Sequence, residues 1–101
     1  MIPGPLGSLA ALKPWRTRRC STFDRTGGNH DFASMAPGET LVLADIKGAG
    51  IVRHIWMTLE CRQDPLFKRG LLLKVHWDGC EEPSILSPIG DFFGQGWGMN
   101  Y

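Results

Sequence analysis

No stretch of this sequence stays apolar long enough to span a bilayer, and its formal net charge is only +1. The first absence excludes a membrane-spanning helix. The second removes the electrostatic reason to expect nucleic acid or a membrane surface as a partner. Cysteine is scarce: the three, Cys20, Cys61 and Cys80, are widely spaced and form no C-x-x-C pair. That spacing argues against both a disulfide framework and a zinc site. The N-terminus has no basic n-region, and its mildly apolar lead is broken by Pro3, Gly4, Pro5 and Gly7, so it does not read as a signal peptide. A reducing, cytoplasmic setting is the expectation. Walker, G-x-S-x-G and strand-to-helix GxGxxG motifs are all missing, and no cofactor is expected.

Long helical stripes are also lacking. Thirteen glycines and seven prolines in 101 residues favour short strands joined by tight turns. Hydrophobic residues at 43% and charged residues at 21% fall in the globular range. The length allows one domain at most, near the lower limit for an independent core.

What is present divides at about residue 20. Residues 1–20 read as an irregular lead, with at most a helical turn or two over Ser8–Lys13 before Pro14. The basic patch Trp15-Arg16-Thr17-Arg18-Arg19 is read as a solvated edge rather than a phosphate site. Further on, Met35-Ala36-Pro37-Gly38 predicts a turn. Glu39–Ile46 alternates with apolar residues on both faces, as in a covered strand. Lys47–Gly50 is a glycine-bracketed turn, and Ile51–Glu60 is the clearest strand pattern. Cys61–Gly70 reads as a loop, Leu71–Trp77 as the next strand, and Asp78-Gly79 as a hairpin turn. Ser84–Leu86 forms a short return strand in this reading, and Ser87–Gly98 a glycine-rich aromatic loop. The predicted fold is therefore all-β: residues 21–101 as part of a jelly roll or β-sandwich. Too few strands are visible for a whole one, and the chain stops at Gly98-Met99-Asn100-Tyr101 without a capping strand, so it is expected to be an incomplete piece of a larger domain.

Chemistry concentrates in Ser21–Phe32, which packs Asp24, Arg25, Asn29, His30 and Asp31 around Gly27-Gly28. Such density suits a loop that holds a polar ligand; the competing reading is a connection whose Asp and Asn bond their own backbone. With Asp91 in the second glycine-rich loop, these aspartates are candidates for acid–base or nucleophilic work on a glycosidic bond. Arg25 either clamps a hydroxylated ligand or pairs with Asp24. His54 and Trp56 share a face of the Ile51–Glu60 pattern, as a sugar platform or as core. His30, His54 and His76 have no metal-ligand spacing, so no metal is expected.

Residues Ser21–Phe32, STFDRTGGNHDF, resemble the SSYDRTGGN-DF signature of domain-of-unknown-function family 2961, placed in glycoside hydrolase family 172. Further blocks agree in order: Pro37–Thr40 with Leu43–Ile46, Gly48–Thr58, His76–Gly79 and Pro88–Gly94. The resemblance implies a β-jelly-roll, retaining hydrolase of furanosides (α-D-fructofuranosides, difructose dianhydrides or α-D-arabinofuranosides), assembled as trimers or larger homo-oligomers. The family's catalytic glutamates lie in a region without counterpart here, and Glu39, Glu60, Glu81 and Glu82 do not match them. The resemblance thus implies no catalytic residue in this chain. It implies substrate contact by Asp24, Arg25, Asn29, Asp31 and Asp91, to which the strand reading adds His54 and Trp56. The alternative is a non-catalytic carbohydrate-binding or assembly module.

Overall fold

The structure, a computed structural model, describes Gly4 and residues 6–96. Readings that fall on Met1–Pro3, Pro5 and Trp97–Tyr101, the uncapped end included, lie outside the described residues. The chain divides into two compact units, Met1–Ile51 and Val52–Tyr101.

Among the described residues, the helices and strands lie in the second unit: α1 (Phe67–Gly70), β1 (Leu72–Val75), β2 (Ile85–Pro88) and α2 (Ile89–Phe92). Asp64 starts the turn into α1, its carboxylate accepting the Leu66 N–H at 2.9 Å and its carbonyl the Phe67 N–H. The chain leaves α1 through Gly70 into extended backbone at Leu71, whose N–H closes on the Phe67 carbonyl at 2.8 Å. β1 and β2 pair antiparallel, from Leu72 opposite Pro88 to Val75 opposite Ile85. Pro88 has no N–H to give and accordingly sits at a strand end, after which the Ile89 N–H bonds the Leu71 carbonyl at 2.8 Å. Alternation along β1 buries Leu73 and exposes Leu72 and Lys74, as the period-2 pattern requires.

The core is small. Among the described residues, Leu73 and Ile89 are the buried hydrophobic ones, at 8% and 4% exposure. Gly90 is buried beside them because backbone and side chain approach it closely. A Cβ there would lie 3.0 Å from the Gln95 carbonyl oxygen and 3.2 Å from Lys68 Cβ.

The Asp78-Gly79 turn forms as expected, with φ of 56° and 72° and the Cys80 N–H bonded to the Trp77 carbonyl at 3.1 Å. Positive φ at both central residues is what a type I′ turn demands. The ladder does not continue from it, however. Residues 76–84 intervene between the paired Val75 and Ile85, so the turn lies within a longer loop.

The all-β expectation is corrected here. No jelly roll or sandwich is formed: the described residues hold one two-stranded sheet and two single-turn helices. Glu39–Ile46 and Ile51–Glu60, the strongest strand patterns, join no ladder, and α1 and α2 stand where loops were expected. The physical reason is that alternation describes a face and does not supply a partner. A strand gains stability only when its N–H and C=O groups are taken up by neighbours and its apolar face is covered. Ile46, Ile51 and Trp56 lie 63%, 77% and 74% exposed.

Among the described residues of the first unit, turns are the regular elements. Gly7, Leu9 and Ala11 donate N–H bonds to Gly4, Leu6 and Ser8, a run of turns in place of the helical one expected over Ser8–Lys13. Ala36-Pro37-Gly38-Glu39 closes by a 3.1 Å bond from the Glu39 N–H to the Ala36 carbonyl, with φ of 83° at Gly38. Pro at the second position and a positive-φ Gly at the third is a type II turn. Among the described residues no helix is long and apolar enough to cross a membrane.

Candidate functional site

The Ser21–Phe32 stretch is a loop, as its sequence predicts, and its shape is set by one side chain. The Asp24 carboxylate accepts three hydrogen bonds. Oδ1 takes the Thr26 N–H at 2.9 Å and the Thr26 hydroxyl at 2.7 Å, and Oδ2 takes the His30 N–H at 3.2 Å. Asp24 in turn gives its own N–H to Asp31 Oδ1 at 2.7 Å, while the Thr22 hydroxyl donates to the Asp31 carbonyl at 3.1 Å. The Gly27 N–H meets the Asp24 carbonyl at 3.1 Å. Two aspartates seven residues apart thereby tie the two ends of the loop together.

The glycine pair has a steric reason. Gly27 takes φ of 75°, and a Cβ at Gly28 would lie 2.8 Å from Asp24 Oδ2, inside contact distance. Asn29 follows with φ of 63°, a conformation that Asn tolerates better than most residues with a Cβ. Hydrogen bonds from the Thr26 hydroxyl, then from the Thr26 and His30 amides, hold the Asp24 carboxyl below its ordinary value of 3.8, against a small opposing effect of burial.

Of the residues expected to contact substrate, this loop brings Asp24, Arg25, Asn29 and Asp31 together. Arg25 does not pair with Asp24. Its guanidinium lies over the Phe23 ring at 4.8 Å from the centroid, within cation–π range. His30 stacks on Phe32 with ring centroids 4.0 Å apart. Asp91, on α2, pairs with Arg69 of α1. Trp56 lines a surface cavity of about 320 Å³ together with Ile55, Met57, Leu59, Lys68, Ile89 and Phe93. His54 is not among its lining residues. Lys68 Nζ donates to Oε1 of Gln95, another lining residue, at 2.7 Å.

Sequence reasoning passed over Thr22, Thr26, Arg69 and Lys68. The Asp24-x-Thr26 spacing was a legible signal, because an Asx side chain bonds the backbone two residues on. The partners of Asp91 and Gln95 lie 22 and 27 residues away and left no local mark. Among the described residues no three of His, Cys, Asp and Glu are grouped to hold a metal ion. The cysteines are free thiols.

A family model described as GH172 domain-like matches residues 28–101. This bears out the glycoside hydrolase family 172 resemblance. The match takes in Asn29, Asp31, His54, Trp56 and Asp91 and begins just after Asp24 and Arg25. Neither the curated proteins nor the solved structures yield a match to the chain.

Proposed function

The chain belongs to the GH172 domain-like family, and from that premise we propose that it is the N-terminal part of a retaining glycoside hydrolase acting on furanosides. The family match over residues 28–101 carries this reading. The carbohydrate classes are those of the resemblance: α-D-fructofuranosides, difructose dianhydrides or α-D-arabinofuranosides. The loop residues Asp24, Arg25, Asn29 and Asp31 shape part of the sugar site, with Trp56 as an aromatic surface.

The bond-breaking acids come from elsewhere in the protein. Retaining hydrolysis needs two carboxyl groups about 5–5.5 Å apart across one anomeric centre. The candidate carboxylates here are engaged locally. Asp24 and Asp31 bond their own loop, Asp91 pairs with Arg69, Glu39 accepts the Ala36 N–H, and Glu60 pairs with Arg62.

Exposed surface supports a larger assembly. Large apolar side chains lie open in both units, Ile46 and Ile51 at 63% and 77% in the first and Trp56 at 74% in the second, and exposed apolar surface of this kind marks contact sites. The remainder of the domain, in a homo-oligomer of three or more chains, is the cover this reading assigns. Free thiols suit a cytoplasmic setting.

The test is turnover of aryl α-arabinofuranoside and fructofuranoside by the 101-residue protein and by the product of its full reading frame. The expected result is hydrolysis by the longer product only. Hydrolysis by the short chain, or by neither, overturns the reading.

A further inference from the structure

Charge is unevenly divided along this chain, and the strip that carries the positive excess lies ahead of the family match. We propose that Lys13–Arg19 is a docking strip for an anionic polysaccharide, with Arg16, Arg18 and Arg19 as its binding groups. The choice of a carbohydrate rests on the reading of the chain as part of a glycoside hydrolase; the strip itself rests on charge and exposure.

Four of the eleven Lys and Arg residues, Lys13, Arg16, Arg18 and Arg19, precede the first acidic residue, Asp24. The other seven share the rest of the chain with all ten Asp and Glu. The net charge of +1 therefore hides a basic end of +4 and an acidic remainder of −3. Four cationic side chains within seven residues is the density of a polyanion-binding patch. The family match begins at residue 28, so the strip lies outside it.

A basic strip is a mere solvated edge when its charge is met by acids of the same chain. Here it is not met. Residues 13–19 are exposed throughout, and from residue 12 to residue 24 the backbone enters no helix, strand or turn. The side chains of Arg16, Arg18 and Arg19 join no ion pair or hydrogen bond among the described residues. Asp24 and Asp31, the acids that follow in sequence, are engaged within their own loop. Lys13 is held back, its Nζ donating to the Ser8 carbonyl at 2.7 Å and lying 5.9 Å from the centroid of the Trp15 ring. The three guanidinium groups are left, each a planar fork of N–H donors that matches carboxylate or phosphate oxygens. One residue, Cys20, separates the strip from the Ser21–Phe32 loop. An anionic chain held on the strip is thereby tethered beside that loop, which raises its local concentration there.

The experiment is fluorescence anisotropy with labelled oligogalacturonate, a neutral dextran oligomer, and a single-stranded oligonucleotide of the same charge as the galacturonate. It is run on the 101-residue chain and on the product of its full reading frame. One variant combines Arg16→Ser, Arg18→Ser and Arg19→Ser. A matched control combines Lys47→Ser, Arg62→Ser and Lys74→Ser, which removes the same charge from other exposed positions. Oligogalacturonate should bind and dextran should not. The strip variant should lose about 30-fold in affinity, and the control less than about threefold. Affinity should fall with salt on a logarithmic slope of about −2, as three neutralised charges require. Equal loss in the two variants, or no binding of oligogalacturonate, overturns the proposal. Tighter binding of the oligonucleotide at equal salt overturns it too, since the partner is then a nucleic acid.

Turnover of the neutral aryl furanosides separates this from the hydrolase reading, because those substrates carry no charge for the strip to hold. A full-frame product that binds oligogalacturonate through the strip but hydrolyses nothing sinks the hydrolase reading and supports the strip. A product that hydrolyses furanosides while the strip variant binds oligogalacturonate as tightly as the native chain sinks the strip alone.

Discussion

The Ser21–Phe32 loop and the β1–β2 hairpin reach order by opposite means. The loop has little apolar cover and is held by side-chain oxygens on backbone amides, gathered within a span of ten residues or fewer. The hairpin is held by a backbone ladder and by Leu73 and Ile89, the buried hydrophobic residues. Its long-range side-chain links run from Lys68 to Gln95 and from Arg69 to Asp91. The comparison teaches that a polar loop is specified locally, while an apolar frame depends on surfaces distant in the chain. A loop of this kind loses its shape when one acceptor goes; the hairpin loses it when one apolar side chain goes.

The hairpin side of that contrast breaks hardest at its centre. Leu73→Ala removes a side chain that is 8% exposed and should cost about 2–3 kcal/mol. Urea unfolding followed by the Val75 and Ile85 amide resonances will read this, and the Thr26 and His30 amides should exchange as before. If those loop amides fail together with the hairpin, the two regions are not independent. Gly90→Ala tests the close approach next to it. A methyl 3.0 Å from the Gln95 carbonyl oxygen forces the backbone apart, for an expected loss of about 1–2 kcal/mol, and the Gln95 amide resonance should move furthest.

On the loop side, Gly28→Ala drives a Cβ against Asp24 Oδ2 and should lower protection of the His30 amide about fivefold to tenfold. Gly79→Ala, at φ of 72° with open space around it, controls for backbone strain alone and should act only on the hairpin. A smaller effect is expected from Arg69→Ala. Its ion pair with Asp91 is partly exposed, with side chains at 41% and 34%, and contributes about 0.5 kcal/mol or less; the measured loss should shrink further in high salt.

The mildest perturbation is acid. The Asp24 carboxyl is held below 3.8 in the folded loop, so folding favours its ionised form. The resulting stabilisation is complete above the unfolded value and is lost as pH falls through the lower, folded one. Thr26 and His30 amide exchange should therefore hold steady from neutral pH down to about 4 once corrected for intrinsic rates. It should then accelerate below 3.8, with the β1–β2 amides unaffected over the same step.

The turns were legible because each depends on residues adjacent in the chain. Pro37-Gly38 and Asp78-Gly79 carry the backbone preferences of their turns, and both turns form. The loop around Gly27-Gly28 was legible for the same reason, though the inward direction of Asp24 and Asp31 became visible only with their acceptor geometry. The alternation of Ile51–Glu60 misled because it records a preference for burial, and in this structure that segment joins no ladder. α1 and α2 were missed because single-turn helices have no periodicity to read. They exist through contacts with the hairpin and with each other, since four residues do not sustain a helix in water.

By itself, then, the sequence determined the turns, the polar loop and the family, all of which depend on residue identity at short spacing or in ordered blocks. Tertiary structure alone decided which patterned segments became strands, which apolar residues were covered, and which charges met. Hydrogen-bond ladders, burial and ion pairs need a second surface, and no local pattern can say where that surface will be.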